Sequence, residues 1–499
     1  MTRIARTLLF LVCASAAGCS DASTGTGPVT PPVTPPATPP AVLVPNGLIG
    51  ATVGTSLSYD ATRGGTVFSD PAGGGLAYSV TFAGPSNGLQ AVGSTVSGTP
   101  AAPGIVSVTV TATDNKGRTA SDQFAIVVFA AGLPTPSLPA LLYPYTDAAA
   151  PLPAHFLTVT DGLSVVATDN MPAANPITNA GATLGRVLFY DRRLSGNDGI
   201  SCGSCHVQSL GFGDARQRSV GFAGGLTGRH SAALANARFY QRARFFWDER
   251  AATLEAQVLT PVQDDTEMGM PLDKLVQKLT VTPYYAPLFT QAFGSPTVTS
   301  DRVAQALAQY VRSLVSGDSR YDRAIAAGSP TNLVGLSTEE KLGEQLFRSQ
   351  GCTTCHVTTA QVSDGPHNVG LDAVDNDPGV AGVGTGRFKS PSMRNVAVRG
   401  RYMHDGRFTS LGQVIEFYNS GVQANPGLSS HLRAEDGSPL RLGLSVAEKS
   451  ALEAFLRTLT DSTFLTAPKF SNPFAVPATP PAPGAVTVNI QGNASSRRR

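Results

Sequence analysis

The sequence predicts a multidomain chain in which one β-sandwich precedes two mainly α-helical domains, and three observations carry that prediction. Between about residues 46 and 130, apolar and polar residues alternate in short runs separated by Gly, Pro, Asn and Asp. From about residue 170 the apolar residues recur at helical spacing instead. In this helical region a single block occurs twice. Leu184-Gly185-x-x-Leu188-Phe189 precedes Cys202-Gly203-Ser204-Cys205-His206, and Leu342-Gly343-x-x-Leu346-Phe347 precedes Cys352-Thr353-Thr354-Cys355-His356. A length of 499 residues accommodates about three domains of ordinary size. Charges nearly cancel, 37 Lys+Arg against 35 Asp+Glu for a net +2, which excludes the strongly basic balance of a nucleic-acid binder. No apolar run approaches the ~20 residues of a membrane-spanning helix.

The elements follow in order. Residues 1–19 begin with Arg3 and Arg6, continue through Leu8-Leu9-Phe10-Leu11-Val12 and end in Ala16-Ala17-Gly18-Cys19. A positive start, a short apolar stretch and small residues before a cleavage point make an export signal. The ending looks like a bacterial lipobox, with Cys19 becoming the lipidated first residue; ordinary cleavage near Ala17, with Cys19 incidental, is the alternative. Ser20 after it favours the outer membrane by analogy with bacterial lipoproteins. The expectation is an exported, periplasmic lipoprotein held to the outer membrane by its lipid. Residues 20–45 read as a linker whose Pro-rich stretch, Pro28 to Pro45, forms an extended polyproline II spacer.

Residues 46–130 form the sandwich, with strands over 76–82 and 105–111. Val96-Ser97-Gly98-Thr99-Pro100 and Phe124-Ala125-Ile126-Val127-Val128 resemble the cadherin-like or immunoglobulin-like modules of exported bacterial proteins. Such a module either binds a glycan or partner or serves as a stalk. No chemistry-bearing cluster stands out here, which favours the stalk. Residues 131–169 read as a second linker, 170–325 and 326–468 as the two helical domains, and 469–499 as a disordered Pro-rich tail. In the first helical domain Val303, Leu307, Tyr310, Val311 and Leu314 share a face behind the cap candidates Ser300 and Asp301. Ser337-Thr338-Glu339-Glu340 is a capping box opening the helix of Leu342 and Leu346, and Ala451 to Leu459 is a late amphipathic helix.

Cys-x-x-Cys-His is the attachment signature of c-type haem. Two thiols about one helical turn apart meet the vinyl groups on one porphyrin edge, and the adjacent imidazole reaches the iron. The rivals are a thioredoxin-like redox pair and half of a zinc site. Zinc does not need a histidine directly after both pairs, and a redox motif has no reason to recur in helical surroundings. Two covalent haem c groups are therefore expected, one on Cys202, Cys205 and His206 and one on Cys352, Cys355 and His356. Function then turns on the sixth position of each iron.

Other motifs are more specific. Asn175-Pro176-Ile177-Thr178, Phe245-Phe246-Trp247-Asp248-Glu249-Arg250, Phe388-Lys389-Ser390-Pro391-Ser392-Met393-Arg394-Asn395 and Tyr402-Met403-His404-Asp405-Gly406 all match one pattern. Residues from about 170 to 465, about 60% of the chain, resemble the bacterial di-haem cytochrome c peroxidase and MauG family. The resemblance implies that the N-terminal haem meets hydrogen peroxide and the C-terminal haem handles electrons. It places Trp247, the single tryptophan, between the haems as an electron relay, and Gln257 and Glu267 in the distal pocket. There Glu267 can carry a proton from the inner peroxide oxygen to the outer one, while Gln257 orients peroxide or water. Where many members carry a distal histidine, sixteen residues after the first haem histidine, this chain has Phe222, which cannot ligate iron. The first haem is therefore expected to be open as isolated. His230 is the nearby substitute ligand, but it stands where the family usually has the asparagine of an inter-haem calcium site, which puts that calcium in question.

For the second haem the sixth-ligand candidates are Tyr418, Met403 and His404. Aligning Leu411-Gly412-Gln413-Val414-Ile415-Glu416-Phe417-Tyr418 with the family puts Tyr418 in that place, where the cytochrome c peroxidases have methionine and the MauG type tyrosine. Thioether sulfur stabilises Fe(II) and raises the potential. Phenolate stabilises higher oxidation states of iron and favours storage of an oxidising equivalent. Tyr418 is preferred over Met403. The expected activity is reduction of hydrogen peroxide with electrons from a small c-type cytochrome. The alternatives are a MauG-like oxidation of an aromatic residue or other organic substrate, and a non-catalytic di-haem electron carrier. Glu267 and Phe222 argue against the carrier, which needs neither a proton shuttle nor a vacant iron.

Overall fold

The computed structural model describes residues 38–160, 162–363, 365–380 and 386–474. The expected export signal with Cys19, most of the Pro-rich linker and the last 25 residues with the terminal arginines lie outside them. The N-terminal module comprises β1 (Ala41–Val42), β2 (Ile49–Thr52), β3 (Leu57–Asp60), β4 (Phe68–Ser69), β5 (Leu76–Phe82), β6 (Leu89–Val92), β7 (Thr95–Gly98), β8 (Gly104–Asp114) and β9 (Thr119–Phe129). One sheet runs β2-β9-β8-β5 and the other β3-β7-β6, with β1 paired to β4. Alternation dictates the packing: Val106, Val108, Val110 and Ala112 on β8 point inward with Phe124, Ile126 and Val128 on β9, and meet Leu89 and Val96 of the second sheet. The module begins earlier than the expected residue 46, because β1 already pairs Val42 with Phe68.

The haem-motif domains are framed by α1 (Asn179–Tyr190), α2 (Leu254–Gln263), α3 (Ser300–Ser313), α4 (Thr338–Ser349), α5 (Leu411–Glu416) and α6 (Val446–Thr458). The repeated block has a packing reason. α1 crosses α3 at Gly185, where an added Cβ would lie 2.0 Å from the Ala306 carbonyl oxygen; α4 crosses α6 at Gly343, where it would lie 1.9 Å from that of Ala451. The phenylalanine four residues on packs in both cases at a tilt against an aromatic of the partner helix, Phe189 on Tyr310 at 5.1 Å and Phe347 on Phe455 at 5.4 Å. Each also sits beside its haem-motif histidine, 6.4 Å from His206 and 6.3 Å from His356. Asn236 and Asn395 complete the parallel, both with left-handed backbone and donating their N–H to Leu314 and Leu459 at the ends of α3 and α6. A backbone oxygen cannot step aside for a methyl group. Gly343→Ala is thus expected to cost about 1–3 kcal/mol, read as a lowered midpoint of thermal unfolding.

Three further boundaries differ from expectation. α3 is capped by Thr299, whose side chain accepts from Arg302 N, rather than by Ser300 or Asp301. The expected linker 131–169 is packed: Tyr145 and Phe156 are core residues, and His155 bonds Asp322 at 2.7 Å. The tail expected from 469 starts later, because Phe470 is buried and its carbonyl accepts from Tyr190 and Tyr310 at 2.8 and 3.0 Å. The last two rest on contacts with residues more than a hundred positions away, which no local pattern displays. The capping box at Ser337 and the apolar face of α3 form as expected.

Candidate functional site

The first haem motif is a single helical turn, Cys202–Cys205, opened by a reciprocal capping box between Ser201 and Ser204. His206 follows it and donates from Nδ1 to the Phe212 carbonyl at 2.9 Å, which leaves Nε2 as the metal-binding atom. Burial holds the His206 pKa below its ordinary value, which favours the neutral ring that can ligate. Burial, with the neighbouring thiol of each pair adding to it, pushes Cys202 and Cys352 up to about 12. A dithiol redox site needs the opposite, a stabilised thiolate, so the thioredoxin-like rival fails on this point.

A cavity of about 650 Å³ extends from His206 past Gln257 and Glu267 to Trp247 and Lys389. It shares His206, Gln257, Pro261 and Glu267 with a smaller one, of about 80 Å³, that is lined by Cys202 and Cys205. Attachment thiols at one end, a neutral imidazole with Nε2 available, and a volume in the range of cofactor sites make this a fit for haem c. The structure thus brings together His206, Gln257, Glu267 and Trp247.

Glu267 sits on a tightly held loop. Its N–H donates to the Asp264 carbonyl and carboxylate, its carbonyl accepts Phe222 N at 2.8 Å, and the next carbonyl, of Met268, accepts Gly196 N at 2.8 Å. Gly221 passes so close that an added Cβ would lie 1.6 Å from the Thr266 oxygen. Burial first, and then the Asp264 charge, raise the Glu267 pKa, with Arg250 opposing. The Phe222 ring packs on Gly269 and Gly196 and is not among the residues lining the cavity. His230 does line it, buried, with Nδ1 hydrogen-bonded to the Arg216 carbonyl at 3.1 Å.

The two halves meet reciprocally at Trp247. His230 N donates to the His404 carbonyl at 2.8 Å, and Lys389 N donates to the Trp247 carbonyl at 2.7 Å. The Trp247 indole N–H donates to the His230 carbonyl at 2.7 Å. Trp247 and His404 occupy equivalent turns: Phe245 bridges Ala251 as Tyr402 bridges Phe408, and Asp248 pairs with Arg250 as Asp405 pairs with Arg407. Phe246 and Met403, next in line, both have left-handed φ, 67° and 70°.

The same equivalence extends into the helices that follow. Thr253 caps α2 and Ser410 caps α5, and the same step along each helix reaches Pro261 in one domain and Tyr418 in the other. Tyr418 lies on a π-helical turn, Phe417–Gly421, a local widening common at functional sites. Burial pushes its phenol pKa up, and the Cys355 and then Cys352 sulfurs add to the shift, which places the ring near the second attachment pair. Met403 packs in the same cluster as Tyr418, with Phe417, Val422 and Leu428. The His404 ring is instead stacked on Phe388, centroids 3.7 Å apart and planes 11° off parallel. The second motif, Cys352–Thr354 followed by Cys355 and His356, is again a tight helical turn.

Lys389 is a site residue that sequence reasoning missed, although it belongs to one of the matching motifs. This lysine lines the first cavity with its ammonium 4.0 Å from the Tyr240 ring centroid, and donates to the Arg244 carbonyl at 3.1 Å. Burial pulls its pKa down to about 7, with the Glu249 carboxylate opposing.

Two haem-attachment turns, a half-buried carboxylate lining the cavity of one of them and an indole at the junction fit an oxidoreductase that works with peroxide and electrons. Comparison with known proteins agrees. The family model described as di-haem cytochrome c peroxidase matches residues 179–329, and that of a putative Ig domain matches 39–129. Methylamine utilization protein MauG of Methylorubrum extorquens is 37% identical over 302 residues, covering 58% of this chain and 80% of that one. Cytochrome-c peroxidase IdrP1 of Denitromonas iodatirespirans is 29% identical, covering 58% and 84%. Among solved structures, a MauG-like protein associated with microbial copper homeostasis aligns with a TM-score of 0.54 at 29% identity, covering 62% of this chain and 97% of that one. The chain belongs to the di-haem cytochrome c peroxidase and MauG family, preceded by an Ig-like domain. Membership implies two haem c groups and a periplasmic setting. No helix among the described residues is long and apolar enough to cross a membrane.

Proposed function

We propose that the chain reduces hydrogen peroxide to water beside His206, with two electrons and two protons per peroxide and a small c-type cytochrome as donor. Bound haem iron would supply the coordination position for peroxide and the route for electrons. Glu267 takes the proton of the inner peroxide oxygen and returns it to the outer one, so that water departs. Gln257, on the same cavity wall, orients peroxide through its amide. Trp247, whose carbonyl accepts from Lys389 across the domain junction while its indole N–H is fixed on the His230 carbonyl, relays electrons between the centres. The observation that carries this reading is that Glu267 and His206 line one cavity, whereas Phe222, in the usual histidine position, does not line it. Titration of the holoprotein as isolated with peroxide, followed by EPR, tests it. The expected result is reaction at a high-spin first haem without prior reduction. Two six-coordinate low-spin irons inert to peroxide would instead support the plain electron carrier.

Because Glu267 must be ionised to accept a proton, its raised pKa puts the acid limb of the peroxide rate above the ordinary glutamate range. Asp264→Asn keeps the loop's acceptor oxygen while removing the charge. It is expected to move that limb to lower pH, as measured by the pH profile of the pre-steady-state rate.

A MauG-like oxidation of an aromatic residue or other organic substrate is the second reading, favoured by Tyr418 standing where the first domain has Pro261. His230 offers a nitrogen where calcium takes oxygen ligands, and its Nδ1 is engaged by Arg216. Lipid anchoring at Cys19 is proposed from the signal-like start; Cys19→Ala should release the protein from the membrane fraction.

A further inference from the structure

We infer that the Ig-like domain is a buttress of the peroxide pocket, with the joint Ala130–Asp198–Lys278 positioning the loop that bears Glu267; this rests on the reading of Glu267 above. The end of β9 and the residues after it dock on the segment between α1 and the first haem motif. Ala130 N donates to Asp198 Oδ2 at 2.8 Å, and the Leu133 and Pro134 carbonyls accept from the Arg193 guanidinium, which lies over the Phe129 ring. The other Asp198 oxygen is ion-paired to Lys278, both side chains being almost wholly buried. Lys278 Nζ also donates to the Ser195 carbonyl at 3.1 Å. Asp198 itself is held at a left-handed φ of 58°.

Two residues earlier the same segment grips the pocket loop. Gly196 N holds the Met268 carbonyl at 2.8 Å, and the Asn197 side chain holds the Phe222 carbonyl at 2.7 Å, while Phe222 N holds that of Glu267. The domain contact and the proton shuttle are therefore linked by one short segment through the Gly196, Asn197 and Phe222 hydrogen bonds. A spacer needs no buried charge at its foot, since desolvating an ion pair is costly. A positioning joint does, because a buried pair completed by the domain's own N–H holds one geometry. Asp198 and Lys278 are positioning residues, not catalytic ones.

Ala130→Pro removes the donor and leaves the ion pair intact; Asp198→Asn removes the charge. In the full-length holoprotein, each is expected to slow the reaction with peroxide about tenfold and shift its acid limb, with the potential of the second haem unchanged. Hydrogen exchange at Glu267, Met268 and Gly269 should accelerate in both. Wild-type rate, pH profile and exchange in Ala130→Pro would overturn the proposal, even if Asp198→Asn fails to fold. Loss of rate on Glu267→Gln without loss on Ala130→Pro sinks the buttress alone. No loss on Glu267→Gln sinks the reading of Glu267 on which it rests.

Discussion

Glu267→Gln is expected to slow peroxide turnover by roughly 10²–10⁴ fold while both haems remain covalently attached. The amide keeps the size of the side chain and so the volume of the cavity, but it cannot take up the proton of the inner oxygen. The backbone of the loop is held by Asp264, Phe222 and Gly196, none of which depends on the Glu267 carboxylate. The loss should therefore appear in the rate of O–O cleavage, not in stability or haem content. Stopped-flow absorbance of the Soret band together with a pyridine haemochrome assay separates these. An unchanged rate would remove Glu267 from the mechanism.

Substitution of Tyr418 should give the largest effect at the second centre. Tyr418→Met replaces an oxygen donor by a thioether and is expected to raise the second potential by on the order of 0.1 V or more, within the ~0.8 V that axial ligands span. Tyr418→Phe should leave that iron with an open or exchanged position, visible as a spin-state change in the resting EPR spectrum. The contrary outcome is equally definite. A high potential that survives Tyr418→Phe and disappears in Met403→Leu assigns the ligand to Met403 and favours a donor-cytochrome peroxidase over the MauG-like chemistry. Both side chains share one cluster, so either substitution perturbs packing to a similar degree, and the comparison isolates ligation.

Much of this could be read from the chain alone because the signals are local. Cys-x-x-Cys-His needs five consecutive residues, a capping box four, and a helix face such as Val303 to Leu314 one period repeated. The repeat around Gly185 and Gly343 was visible as letters, yet its meaning, two helices touching through a missing side chain, required the partner helices. Phe222 could be seen to lack a ligand atom; that its ring lies on Gly269 and Gly196 depended on a loop nearly fifty residues away. Lys389 carried no signal of its own, since a lysine in a loop is ordinarily solvated, and only its ammonium over the Tyr240 ring and its backbone N–H on the Trp247 carbonyl distinguish it.

The amino-acid order by itself determined two thioether-forming turns with their histidines, the division into a strand-rich region and two helical ones, and the types of side chain offered to peroxide. Short-range covalent spacing and hydrophobic period suffice for those. Tertiary structure alone decided that Glu267, Gln257 and Trp247 line one cavity with His206, that Lys389 lines it from the second domain, and that the end of the Ig-like domain bonds Asp198 beside the residues holding the pocket loop. These are contacts between residues distant in the chain, set by how the helices cross and which buried polar groups find partners.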